Sequence, residues 1–159
     1  MRKLYCTVLL SLVVMTAVPH CTAAEASDEQ AVKAAVERFL TSLGSGDYEA
    51  VQPMFAPKAS ISHPAKVDGK STMVNETFDE WMAARLASPI RPRFREPVNE
   101  FTVHVDEGLA FVRADANYYV GDELRSNNLD YFTLIKINGE WKFVNASYVN
   151  RPVFRKPAQ

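Results

Sequence analysis

Among the side chains that could move protons are His63, in Ser60-Ile61-Ser62-His63-Pro64, and Asp130, in Leu129-Asp130-Tyr131-Phe132. An imidazole exchanges protons near neutral pH. A carboxyl group on an apolar face loses the water that stabilises its charge, so burial keeps it protonated unless a cation pairs with it. Strand alternation puts Asp130 on the face of Phe132 and Leu134. Asp130 therefore reads either as a neutral hydrogen-bond donor or as the carboxylate that orients His63 in a dyad. The plainer alternatives are a His63 that ends a strand with local hydrogen bonds and an Asp130 that bridges strands at the sheet rim.

A ligand beside this pair would need walls. Tyr118 and Tyr148 fall on strand faces expected to look inward, beside Val112, Ala114, Val144 and Ala146, and each offers a hydroxyl. Trp81, Met54, Phe55 and Phe132 are expected to close an apolar wall suited to a flat ligand, although aromatic and Met stripes also serve as plain core. Arg91, Arg93 and Arg95 alternate with Pro92 and Phe94, which fits a clamp for an acidic ligand or a solvated basic loop. His104 alternates outward and His20 sits near the N-terminus, so no His, Asp and Glu cluster has metal spacing. No metal and no cofactor are expected.

The elements that must position these residues are legible from period and punctuation. Val32, Ala35, Val36, Phe39, Leu40 and Leu43 recur at helical spacing, with Ser27 and Gln30 as a capping box and Gly44 as a stop. Asp47 caps a second short helix through Tyr48, Val51, Met54 and Phe55, and Pro57 ends it. A brief strand follows at residues 59–63, then a Gly-containing turn. Thr77 and Glu80 form another capping box for a third helix carrying Phe78, Trp81, Met82 and Leu86, which ends before Pro89 and Pro92. From Glu96 the period changes to two: Phe101, Val103 and Val105, then Ala110 to Ala116, then strands from about Arg125 to Ile137 and from Trp141 to about Val149, joined by Asn138-Gly139. Helices followed by an antiparallel meander make an α+β domain.

At 159 residues with 47% hydrophobic and 23% charged side chains, the chain can build one core, which excludes wholesale disorder and a coiled-coil rod. Arg2 and Lys3, the apolar run from Leu4 to Val18, and Cys21-Thr22-Ala23-Ala24 read as a secretory signal peptide over residues 1–24, because the run is shorter than the ~20 residues a bilayer span needs. The domain is then expected over 25–150 and a fraying tail over 151–159, in a secreted or periplasmic protein that leaves the membrane on cleavage. Cys6 and Cys21 would depart with the leader, removing disulfides, thiol nucleophiles and thiolate zinc sites. A net charge of −1, more acidic still without Arg2 and Lys3, argues against nucleic acid as partner.

The order of elements, with Gly46-Asp47-Tyr48-Glu49-Ala50-Val51 opening the second helix, Met54-Phe55-Ala56-Pro57-Lys58-Ala59 before the first strand and Trp141-Lys142-Phe143-Val144-Asn145 in the last, resembles the nuclear-transport-factor-2-like (NTF2-like, SnoaL-like) superfamily. Val67-Asp68-Gly69-Lys70, Phe78-Asp79-Glu80-Trp81 and Leu129-Asp130-Tyr131 look most like its putative lumazine-binding branch. The resemblance implies a cone: three N-terminal helices packed in a curved antiparallel sheet, with a pocket at the wide end. In the ketosteroid-isomerase relatives a carboxylate base precedes a proline where His63 stands here, Asp130 matches a protonated oxyanion donor, and a tyrosine donor is replaced by Phe39, which has no hydroxyl. Phe39 is then a wall residue, and Tyr118 or Tyr148 would have to supply the second donor.

Three functions stay open: a binder of a small, largely apolar or aromatic ligand; a cofactor-free isomerase, dehydratase or cyclase using His63 and Asp130; and an interaction domain acting through its sheet. The resemblance also implies a homodimer formed through a sheet face bearing Phe111, Arg113, Asp115, Asn117 and Tyr119.

Overall fold

The structure, a computed structural model, describes residues 23–90 and 93–153. The expected leader, apart from its last two residues, and Arg91 lie outside the described residues. Helix α1 (Ala23–Ser45) buries its predicted stripe, Val32, Ala35, Val36, Phe39, Leu40 and Leu43. It begins before Ser27, so that residue does not cap it. Its stop is Gly46, not Gly44. With φ at 76°, Gly46 donates to Leu43 O and Asp47 N donates to Ser42 O, the paired closure of a Schellman turn. Gly44 lies inside the helix for a different reason, given below.

Asp47 caps α2 (Tyr48–Val51) by accepting from Ala50 N at 3.1 Å. A single 3-10 turn, Gln52–Met54, then delivers Phe55 to the first strand, so the second helix is shorter than expected. Strand β1 (Phe55–Val67) outruns the predicted 59–63 and turns through Asp68 and Gly69, both at positive φ, into β2 (Lys70–Thr77). That second strand is missed by pattern because it is an edge strand with a mostly exposed, mostly polar face. Helix α3 (Phe78–Ala87) has both halves of its capping box: Glu80 N donates to Thr77 Oγ1 and Thr77 N to Glu80 Oε2. Thr77→Ala is expected to cost about 1 kcal/mol, read as a lower urea midpoint at unchanged slope.

Strands β3 (Val98–Asp106), β4 (Leu109–Val120), β5 (Glu123–Ile137) and β6 (Glu140–Pro152) complete one six-stranded sheet in the order β2-β1-β6-β5-β4-β3. It is antiparallel except where β1 runs parallel to β6. Strand β6 continues past the expected end, pairing Arg151 with Asn127 and Pro152 with Ser126, so these two residues do not belong to a frayed tail. A register shift between Thr133 and Leu134 turns Phe143, in place of the predicted Val144, to the core.

The inner face of the sheet is graded along its strands. Along the inner face of β5 the buried residues read Ser126, Asn128, Asp130, Phe132, Leu134, polar at one end and apolar at the other. Phe132 pairs with Ala146 and Val112, while Asp130 pairs with Tyr148 and Ala114. At the apolar end Phe39 meets Phe55 and Phe132 edge-on at centroid distances of 5.3 and 5.9 Å, and Phe55 stacks on Phe78 at 3.9 Å. These rings close the narrow end of the cone. Lys136 anchors α1 there through Asp28 at 2.6 Å.

Candidate functional site

Toward the polar end the helices no longer fill the curve of the sheet, and a cavity of about 260 Å³ remains. That is room for roughly nine waters, or a molecule of one or two rings. Its apolar floor is Phe39, Leu40, Leu43, Ile61, Phe132 and Ala146. Trp81 and Arg85 reach it from the same face of α3, with Arg85 Cζ 4.0 Å above the indole. Phe94 and Glu96 arrive on the segment before β3. That segment is stitched to α1 by Phe94 N donating to Gly44 O at 3.0 Å and to β4 by the paired Arg95–Tyr119 bonds of 3.0 and 2.8 Å. Phe94 then meets Tyr118 at 4.9 Å between centroids.

Asp130 is only 5% exposed, and its Oδ2 has no hydrogen-bond partner. Burial first, then the nearby carboxyls of Glu96 and Asp115, push its pKa up to about 8. At neutral pH it is therefore a protonated acid and can donate. Glu96 is also pushed upward by burial, against the opposing pull of Asn128, which donates to its Oε1, and of the Arg85 charge. Ser126 Oγ donates to Asn128 Oδ1 at 2.7 Å, which fixes the amide so that its NH₂ faces Glu96. Burial raises the hydroxyls of Tyr118 and Tyr148 as well, leaving both as neutral donors; a side-chain hydrogen bond with Trp81 works the other way on Tyr148.

Of the residues singled out from sequence, the cavity gathers Phe39, Trp81, Tyr118, Asp130, Phe132 and Tyr148. Met54 and Phe55 do not line it. Both lie in the closed core, where Phe55 is occupied by Phe39, Phe78 and Phe143. His63 does not line it either, and the expected His63–Asp130 dyad is not formed. Its ring stacks on Tyr148 at 4.9 Å, and Tyr148 is the cross-strand partner of Asp130, so the tyrosine stands between them. His63 Nδ1 also lies 3.2 Å from Pro64 O, within hydrogen-bond reach.

Arg85, Glu96, Ser126 and Asn128 were not anticipated. Two of them had a signal: Ser126 and Asn128 stand four and two residues before Asp130, so alternation already placed three polar groups on one inward face. Arg85, four residues after Trp81, had a weaker one. Nothing local marks Glu96.

Residues 27–149 match the model of the family described as "Putative lumazine-binding". The chain belongs to that family. Among solved structures, this lumazine-binding-like chain is similar to an NTF2-like protein of unknown function from Shewanella baltica OS155, at 18% identity and TM-score 0.61, over 84% of this chain and 100% of that one. A putative scytalone dehydratase from Novosphingobium aromaticivorans DSM 12444 follows at 15% identity and TM-score 0.62, over 79% and 85%. A putative ketosteroid isomerase from Shewanella frigidimarina NCIMB 400 gives 17% and 0.54, over 75% and 94%. At such identities the likeness is one of fold, and the lumazine-binding-like chain is an NTF2-like cone. No curated protein matches it.

Proposed function

We propose that this is an exported binder of a small, flat, largely apolar or aromatic molecule, held in the cone with the neutral Asp130 carboxyl as its deepest donor. The observation that carries this reading is the partnerless Asp130 Oδ2 on the wall of an open cavity. A buried polar group without a partner costs about 1–3 kcal/mol, and a ligand acceptor would remove that cost. Native mass spectrometry of the protein purified without denaturation is expected to show a bound species, released on acid denaturation, and Trp81→Ala is expected to lower its occupancy. An empty wild-type protein that also binds no member of an aromatic fragment set would overturn the reading.

A second reading is proton transfer on the bound molecule, supported by two raised carboxyls, Asp130 and Glu96, in one cavity. Glu96 here takes the part first given to His63. The leader supports export, and N-terminal sequencing of secreted material is expected to begin near Glu25.

The outer sheet face supports a homodimer. Phe111 is 52% and Tyr131 44% exposed on adjacent strands, flanked by the Arg113–Asp115 ion pair at 2.8 Å. Such a mixed patch can meet its own copy across a two-fold axis. Sedimentation is expected to give a dimer that Phe111→Glu dissociates; a monomer at micromolar wild-type concentration is the contrary result.

A further inference from the structure

We infer that the molecule bound in this cavity is an anion, an aromatic ring bearing a carboxylate or comparable oxyanion, with Arg85 as its counter-charge and Asp130 as a hydrogen-bond donor to it. This rests on the reading of the cavity as a ligand site. Among the described residues, three buried side-chain polar atoms have no partner, and two belong to cavity-lining residues: Arg85 Nε and Asp130 Oδ2. An arginine Nε can only donate, and a protonated carboxyl donates through its O–H. Two unsatisfied donors lining one cavity call for an acceptor.

Arg85 lines the cavity and brings a full positive charge to it. A cationic ligand meets the opposite conditions. The Trp81 face, the best cation site among these aromatics, is already covered by Arg85 at 4.0 Å.

The pH behaviour follows from the groups around Asp130. Glu96 acts on its charge from the segment before β3 and Asp115 from β4, Tyr148 of β6 is its cross-strand partner with the His63 ring of β1 stacked on it, and Arg85 lines the cavity from α3. Ionising Asp130 replaces a donor with a second negative charge beside Glu96. Anion binding is therefore strongest while Asp130 is protonated and weakens as pH rises past about 8. Tyr118 and Tyr148, both raised, stay protonated over that range.

Calorimetric titration of the full mature protein with benzoate, benzamide and benzylamine, equal in size and differing in charge, tests this. Benzoate is expected to bind about tenfold or more tighter than benzamide at pH 6.5, the worth of one charge-assisted hydrogen bond, with benzylamine weakest. Its advantage should shrink by pH 9. Arg85→Gln is expected to erase the benzoate preference while benzamide still binds, and Asp130→Asn to flatten the pH profile. Equal or better binding of benzamide or benzylamine, or a preference that survives Arg85→Gln, overturns the anion inference and leaves the cavity reading standing. Binding of none of the three, nor of neutral indole, overturns both.

Discussion

Asp130→Asn is expected to match the wild type in pH-independent behaviour near pH 4 and to become progressively more stable than it toward pH 8. The folded carboxyl titrates at about 8 against an ordinary 3.8. Below the ordinary value both states hold the proton and the linkage is silent. Between the two values the unfolded chain releases a proton that the folded chain keeps, so wild-type stability falls as pH rises, and the loss is complete once the folded carboxyl ionises. Asparagine has no such term. The difference between the two proteins should exceed ~1 kcal/mol by pH 8, given the 1–3 kcal/mol a single buried polar group commonly carries. Glu80 and Glu140, held below the usual range by Thr77 and Lys142, act in the opposite sense but are present in both proteins and cancel. Urea midpoints at pH 4, 6 and 8 check this; parallel curves would mean that Asp130 ionises freely in the folded state.

Gly44→Val is expected to destabilise the fold by about 2 kcal/mol or more and to abolish ligand binding. A Cβ at Gly44 would stand 2.5 Å from Phe94 O and 3.2 Å from Phe94 Cδ2. The nearer atom is backbone, and it belongs to the segment that Gly44 O itself holds through Phe94 N. Helix propensity alone would favour replacing this glycine, by up to ~1 kcal/mol for alanine. Overpacking at a backbone contact costs about 1–3 kcal/mol, so the clash decides the sign even for alanine, and valine adds bulk to it. The segment that must yield carries Phe94 and Glu96, which explains why a helix substitution reaches the cavity. Gly46→Ala is the control: no atom lies within 4 Å of its added Cβ, so it should cost only the backbone strain of its φ of 76° and leave binding intact. Denaturation midpoints with benzoate or indole titrations separate the two, and equal effects at both glycines would count against the close-contact account.

The helix stripe, the Thr77–Glu80 box, the Asn138-Gly139 hairpin and the inward tyrosines were legible because each depends on neighbours within a few residues, where period and turn chemistry act. The α+β order of elements was legible for the same reason, and the cone was implied by its resemblance to the NTF2-like superfamily. Asp130 could be read as buried because alternation aligned it with Phe132 and Leu134, and the same alternation held the unread signal for Ser126 and Asn128. Edge strand β2 escaped because an exposed edge asks for no apolar alternation. Gly44 was mistaken for a stop because a glycine needed for close approach and one needed for positive φ look alike in one dimension. His63 and Asp130 were paired by residue type, but cross-strand register puts the Tyr148 ring between them. Glu96 lies beside Arg85 and Asn128 only because its segment is bonded at one end to a helix and at the other to β4. The sequence by itself determined which faces are apolar and where the chain turns. Only the tertiary structure decided which polar groups share the cavity, because a cavity is the space that curved sheet and helices fail to fill, and no local pattern encodes the shape of that remainder.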